Sequence, residues 1–295
     1  MTSQSITQVS FYKYLSVSSA TAVLTNQTLR WATPQTFNDP ADMQMDFGVS
    51  YDRDSVVERT LDLICARCAG TAPPAANAVG HVMDQFREYF QSRGEEFIRA
   101  EMRPGIEASL AKLAPSVARM SADLRKGLAT TKVICFSVRR DSTLMWSHYA
   151  ESHAGIVLEF RNAANRDSPY KIARPVMYSN RIPQFYDDET IARILAGDAK
   201  VEMDVVDRLI YTKSDDWAYE HEWRIDTGDG RLPNAPVEYV EFFTEELHAV
   251  YFGCRATDAT RSALIPIISM KYPHAEIWQV RRATNTYALD FDRVS

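Results

Sequence analysis

Glu220, His221 and Glu222 stand inside the run WAYEHEWRI, residues 217–225, hemmed in by Trp217, Tyr219 and Trp223. Two close carboxylates are the groups that move protons and stabilise developing positive charge. Read as a strand, alternate side chains point to opposite faces. Trp217, Tyr219, His221, Trp223 and Ile225 then share one face, and Glu220, Glu222, Arg224 and Asp226 the other. Read as a helix, the aromatics scatter, so the pattern predicts a strand with both glutamates on one face, roughly 6.5–7 Å apart along the backbone. A solvated outer face balanced by Arg224 is the plain explanation of such a pair, and the rest of the chain has to weigh against it.

Other segments mix polar groups with aromatics. FYKYL (11–15), LRWATPQTFNDP (29–40), CFS (135–137) and LMWSHYAESHAG (144–155) are the notable ones. Tyr12, Lys13, Arg30, Ser137, His148 and Glu222 each sit among apolar neighbours, where a polar group is costly unless it is paired. Trp31, Phe37, Trp146 and Tyr149 read singly as core residues; beside those polar groups they suggest the walls of a cleft. No G-x-G-x-x-G, Walker lysine loop or G-x-S-x-G elbow occurs, so a doubly wound dinucleotide fold is unsupported. His148 and His153 are five apart, a spacing that does not align two ligands on a helix face. Cys65 and Cys68 form a C-x-x-C without a second close pair to complete a zinc site, and they fall on a helical apolar stripe. No metal site is expected, and buried free thiols in a reducing, cytoplasmic setting are.

These residues need elements to hold them. Alternation predicts strands at FYKYL, LRWAT, VICFSV (133–138), GIVLEF (155–160), RPVMYSN (174–180), the WAYEHEWRI run, VEYVEFF (237–243), HAVYFG (248–253) and AEIWQVRR (275–282). Helical spacing predicts helices at 16–27, 141–155, 187–213 and 258–270, and a helical block over 54–126 that Pro115 should kink or split. The expected organisation is an α+β core from 1–53 and 127–295 carrying the site, with 54–126 as a helical insertion. A net charge of −6 disfavours a broad nucleic-acid surface. No apolar run approaches eighteen residues and no signal peptide is visible, so no membrane association is expected.

YKYL, LRWATPQTFNDPADM, CFS, LMWSHYAESHAGIVLEF and W-x-Y-E-x-E-W-R-I together resemble the bacterial family known as domain of unknown function 2971, a name that gives no activity. More distantly, the order of an early strand with a polar residue, a middle strand ending in serine and a late Glu-x-Glu is similar to that of ADP-ribosyltransferases. That resemblance implies a mainly antiparallel split sheet holding NAD, as substrate, in a cleft. It implies an early NAD contact at Tyr12 or Lys13, where the superfamily has Arg or His. Ser137 would shape the nicotinamide site and Glu222 would be catalytic, with Glu220 directed at the acceptor.

The remaining candidate ligand contacts are Arg30, Trp31, His148 and Tyr149. The acceptor would be a protein or nucleic acid, in a toxin or phage-defence context, and homo-oligomerisation stays open. Two other readings stand beside this one. The first is a non-catalytic binding or regulatory module on the same fold. The second is a metal-dependent hydrolase or nuclease using Glu220, Glu222, Asp226 and a histidine.

Overall fold

A computed structural model describes residues 9–45, 49–183, 186–201 and 205–294. The chain divides into two compact units, one drawn from residues 1–44, 127–181 and 211–295, the other from 45–126 and 182–210. The helical unit thus takes in residues 182–210, which the sequence pattern leaves with the sheet. Its apolar contacts explain this: Ile191, Ala192 and Ala196 on helix Asp188–Ala196 are buried with Val57, Leu61 and Ile64 on helix Arg53–Cys68.

The first unit is built on strands β1 (Ser10–Leu15), β2 (Thr28–Ala32), β3 (Val133–Ser137), β4 (Ile156–Arg161), β5 (Arg174–Pro175), β6 (Met177–Ser179), β7 (Thr212–Ser214), β8 (Glu222–Asp226), β9 (Val237–Glu241), β10 (Leu247–Phe252), β11 (Glu276–Arg282) and β12 (Leu289–Arg293). The main sheet runs β12-β11-β10-β4-β1-β3-β2-β9, with β8 pairing both β3 and β5. All its pairings are antiparallel except β10 with β11; β6 and β7 form a separate parallel pair. The protein is therefore a mixed α and β structure with a mostly antiparallel sheet.

Helices Val17–Asn26 and Asp258–Lys271 bury Leu24, Leu264 and Ile268 with Phe11, Phe136, Leu158 and Phe160 from the sheet. This apolar layer holds β1, β3 and β4 rigid, and the site stands on two of these strands. Ser16 caps the first of the two helices and Thr257 the second, each accepting a backbone N–H three residues on.

Four local expectations change. The strand expected across 217–226 begins only at Glu222; Asp215–Glu220 is a 3-10 turn, and His221 takes a left-handed backbone with φ 44°. Helix 187–213 is two helices, Asp188–Ala196 and Val205–Ile210, followed by β7; residues 202–204 between them lie outside the described set. The helix expected over 141–155 runs only from Thr143 to Tyr149, with Ser142 as its cap. Finally, helix Glu95–Thr130 continues through Pro104 and Pro115 without being split. A proline removes one intrahelical hydrogen bond, a cost that a helix of 36 residues outlasts.

Candidate functional site

Register brings three strands to one point. On β1, Tyr12 lies opposite Ser137 of β3, and Ser137 lies opposite Glu222 of β8. Above them opens a cavity of about 140 Å³ that is continuous with solvent. Its walls include the aromatic rings of Tyr12, Tyr14, Phe37, Phe136 and Tyr149. Its polar floor is made by Lys13, Asp42, Lys213, Glu220 and Glu222.

That floor is an ion cluster. Arg224 donates Nε to Glu222 Oε1 at 2.7 Å and grips Asp42 with two further bonds of 2.9 and 2.6 Å. Lys213 Nζ reaches Glu220 Oε2 at 2.6 Å, Glu222 Oε2 at 3.0 Å and Asp42 Oδ2 at 3.6 Å. All five side chains are buried. Within the cluster three carboxylates thus face two cations, and Lys13 stands beside them on the same floor. Charges taken out of water are tolerable only in such a mutually satisfied arrangement.

The glutamates converge, though not by strand period. Glu220 ends the 3-10 turn and Glu222 opens β8, and the left-handed His221 between them swings both carboxylates onto Lys213. A non-glycine residue in this region is a strained conformation that surrounding contacts must hold. Ser137 does so: its hydroxyl donates to Glu220 O at 2.6 Å and accepts from Arg139 N at 3.0 Å. Tyr178 supports the other side, accepting from Glu222 N at 2.8 Å. Ser137 is therefore a positioning residue for the turn. Ser137→Ala, which leaves a buried carbonyl and a backbone N–H without their partner, is expected to lower stability by about 1–3 kcal/mol. The reading is the urea midpoint; an unchanged midpoint would mean the turn holds itself.

The environments drive like groups apart. Burial alone would raise Glu222, but Arg224 and Lys213 outweigh it and hold the carboxyl well below its usual range. For Glu220 burial wins, despite the Lys213 contact, because the Glu222 charge adds to it, and its carboxyl is held above the usual range. Asp42 is likewise raised, by burial and Glu222 against Arg224 and Lys213. Lys213 loses to burial but gains more from Glu222, Glu220 and Asp42, and stays firmly protonated. Tyr149 donates its O–H to Glu220 Oε1 at 2.6 Å and accepts from Asn38 at 2.9 Å; burial and then Glu220 push its phenol up.

Of the residues singled out in the sequence, Tyr12, Lys13, Phe37, Ser137, Tyr149, Glu220 and Glu222 line the cavity, while Trp146 is buried in a core cluster outside the lining. Arg30 is exposed on β2 outside the lining, although its charge reaches Lys13. Trp31 is buried in the core beneath the sheet. His148 is exposed, its ring against Tyr149 and Tyr219 at 6.3 and 5.8 Å.

Sequence reasoning missed Asp42, Lys213 and Tyr178. Asp42 follows the quoted FNDP run, where Asp39 folds the loop by accepting from Ala41 N at 2.9 Å; an aspartate beside such a turn was the available signal. Lys213 was hidden inside a stretch with helical spacing. Among the described residues no group of three or more His, Cys, Asp and Glu is placed to hold a metal. Asp226 in particular lies away from the cluster, accepting from Tyr211 at 2.6 Å with Arg174 at 3.5 Å. All four cysteines are free.

Residues 145–225 match the model of a family described as a protein of unknown function (DUF2971), which supports placing the chain in that family. The matched span holds Tyr149, Lys213, Glu220, Glu222 and Arg224, while Lys13, Asp42 and Ser137 fall before it. No curated protein matches the chain significantly, and no solved structure does. Among the described residues no helix is long and apolar enough to cross a membrane.

Proposed function

We propose that the chain is an ADP-ribosyltransferase-like enzyme that cleaves the nicotinamide–ribose bond of NAD and transfers ADP-ribose to a protein or nucleic-acid acceptor. The observation that supports this reading is the register of Tyr12, Ser137 and Glu222 on three adjacent strands that line one aromatic cavity. Ser137 and Glu222 are two of the positions that the resemblance implies, and Tyr12 is one of the two candidates, with Lys13, for the third; they are drawn from segments far apart in the chain.

The chemistry follows from the charges. When the glycosidic bond breaks, its electron pair leaves with nicotinamide nitrogen and positive charge builds on the ribose. Glu222 is held ionised and rigid by Arg224 and Lys213, so its field requires no reorganisation as that charge develops. Glu220, raised by burial, is the better proton acceptor of the two and is suited to take the proton of the incoming nucleophile.

One observation favours a second reading. Both oxygens of Glu222 already bind cations, so the cluster also makes sense as the scaffold of a pocket that only binds its ligand. Nicotinamide release from NAD by the purified protein, followed by chromatography, separates the two. Release above the buffer control is expected. Saturable NAD binding without release would favour the binding module, and neither binding nor release would end the NAD reading.

A further inference from the structure

Two lysines line the cavity, and they are not alike. Lys213 is paired with three carboxylates. Lys13, on β1, makes one hydrogen bond, from Nζ to the Cys135 carbonyl at 2.7 Å, and among the described residues it has no ion pair. Its ammonium lies 5.5 Å from the centre of the Phe136 ring, and Tyr12, Tyr14 and Tyr149 line the same space.

We propose that Lys13 is a nucleophilic amine that captures the carbonyl group of a small aldehyde or ketone held between the aromatic walls of the cavity. This inference does not depend on the NAD reading. One hydrogen bond to a backbone carbonyl leaves the amine lone pair of Lys13 free, whereas Lys213 donates to two carboxylates and forms an ion pair with a third. Burial favours the neutral amine and pulls Lys13 below the ordinary lysine range. The groups that face it are Cys135 on β3, Glu222 on β8 and Glu220 in the preceding turn, which oppose that shift, and Arg30 on β2, which adds to it. Burial wins, as it does for other amines that form imines.

The step balances within the site. The Nζ lone pair adds to the carbonyl carbon and gives a carbinolamine. Its hydroxyl then leaves as water, taking one proton while the nitrogen gives up another, so that amine and carbonyl become imine and water. Glu220 lines the same cavity with its carboxyl held above the usual range and its Oε1 bonded to the Tyr149 phenol, which suits it to carry that proton.

The test is reductive trapping of the wild-type protein with propanal and sodium cyanoborohydride, read by peptide mass spectrometry over a range of pH. At pH 7 an ordinary exposed lysine is neutral in only about one molecule in two thousand, and each unit of depression raises that fraction roughly tenfold. Lys13 is expected to be alkylated at least about tenfold faster than the exposed Lys112 and Lys200, with its rate levelling off at lower pH. Lys213 is expected to be the slower of the two cavity lysines. In Lys13→Arg the fast component should vanish while Lys112 and Lys200 react as before; the wild-type rates decide the matter even where that variant does not fold. Lys13 reacting no faster than the exposed lysines, or more slowly than Lys213, would overturn the proposal.

Discussion

Arg224→Met is expected to destabilise the protein by about 3–5 kcal/mol, the usual consequence of removing one partner from a buried ion network. Arg224 is fully buried and binds Asp42 and Glu222 through paired guanidinium bonds. Methionine keeps the apolar stem at a similar total volume but ends about where Nε stood, so lost volume contributes less than the lost charge. What remains is the charge. Among the described residues Asp42 and Glu222 would keep Lys213 as their one paired cation, 3.6 and 3.0 Å from them and already serving Glu220.

Arg224→Lys restores a positive charge without the planar fork. It should recover part of the loss, because an ammonium cannot bridge both carboxylates with parallel bonds. Urea unfolding of the three proteins, with circular dichroism as readout, gives the comparison. A loss below about 1 kcal/mol for Arg224→Met would put the pair in the class of surface ion pairs and remove the cluster from the centre of the fold.

Glu222→Gln is expected to keep the fold and to lower nicotinamide release by roughly 10²–10³, the scale of removing one preorganised electrostatic group. Glutamine keeps the size of the side chain, and Arg224 retains Asp42 while Lys213 retains Glu220. The substitution therefore removes the negative charge that the proposed reaction needs more than it removes structure. Glu220→Gln should behave differently. Its proposed partner is the acceptor, so transfer to an acceptor should fall further than hydrolysis of NAD by water.

Each variant is read against circular dichroism and against both products. Release by Glu222→Gln equal to wild type would refute the electrostatic role. Equal losses of transfer and hydrolysis in Glu220→Gln would refute the division of labour between the two glutamates.

Much of the scaffold is legible from periodicity. The short strands after residue 130 and the helical character of 54–126 follow from the spacing of apolar residues, because burial on one face imposes that spacing wherever a helix or strand forms. The concentration of polar residues in FYKYL, CFS and YEHEWR likewise marks them, since such groups amid apolar neighbours must find partners.

The partners themselves are long-range and follow from no local pattern. Asp42 and Arg224 are 182 residues apart in sequence, and only the pairing of β3 with β8 and the fold of the loop after Asp39 bring them together. The same holds for the turn at His221. Strand period predicted both glutamates on one face; a 3-10 turn and a left-handed residue placed them together instead, held by the Ser137 hydroxyl and by Lys213. Arg30, Trp31 and His148 share the composition of the cavity residues but lie outside its lining, since sequence neighbours on a strand or helix point in different directions. Local periodicity reports which face is apolar, whereas desolvation and charge pairing across the sheet select the few polar groups that meet, and that selection exists only once the chain has folded.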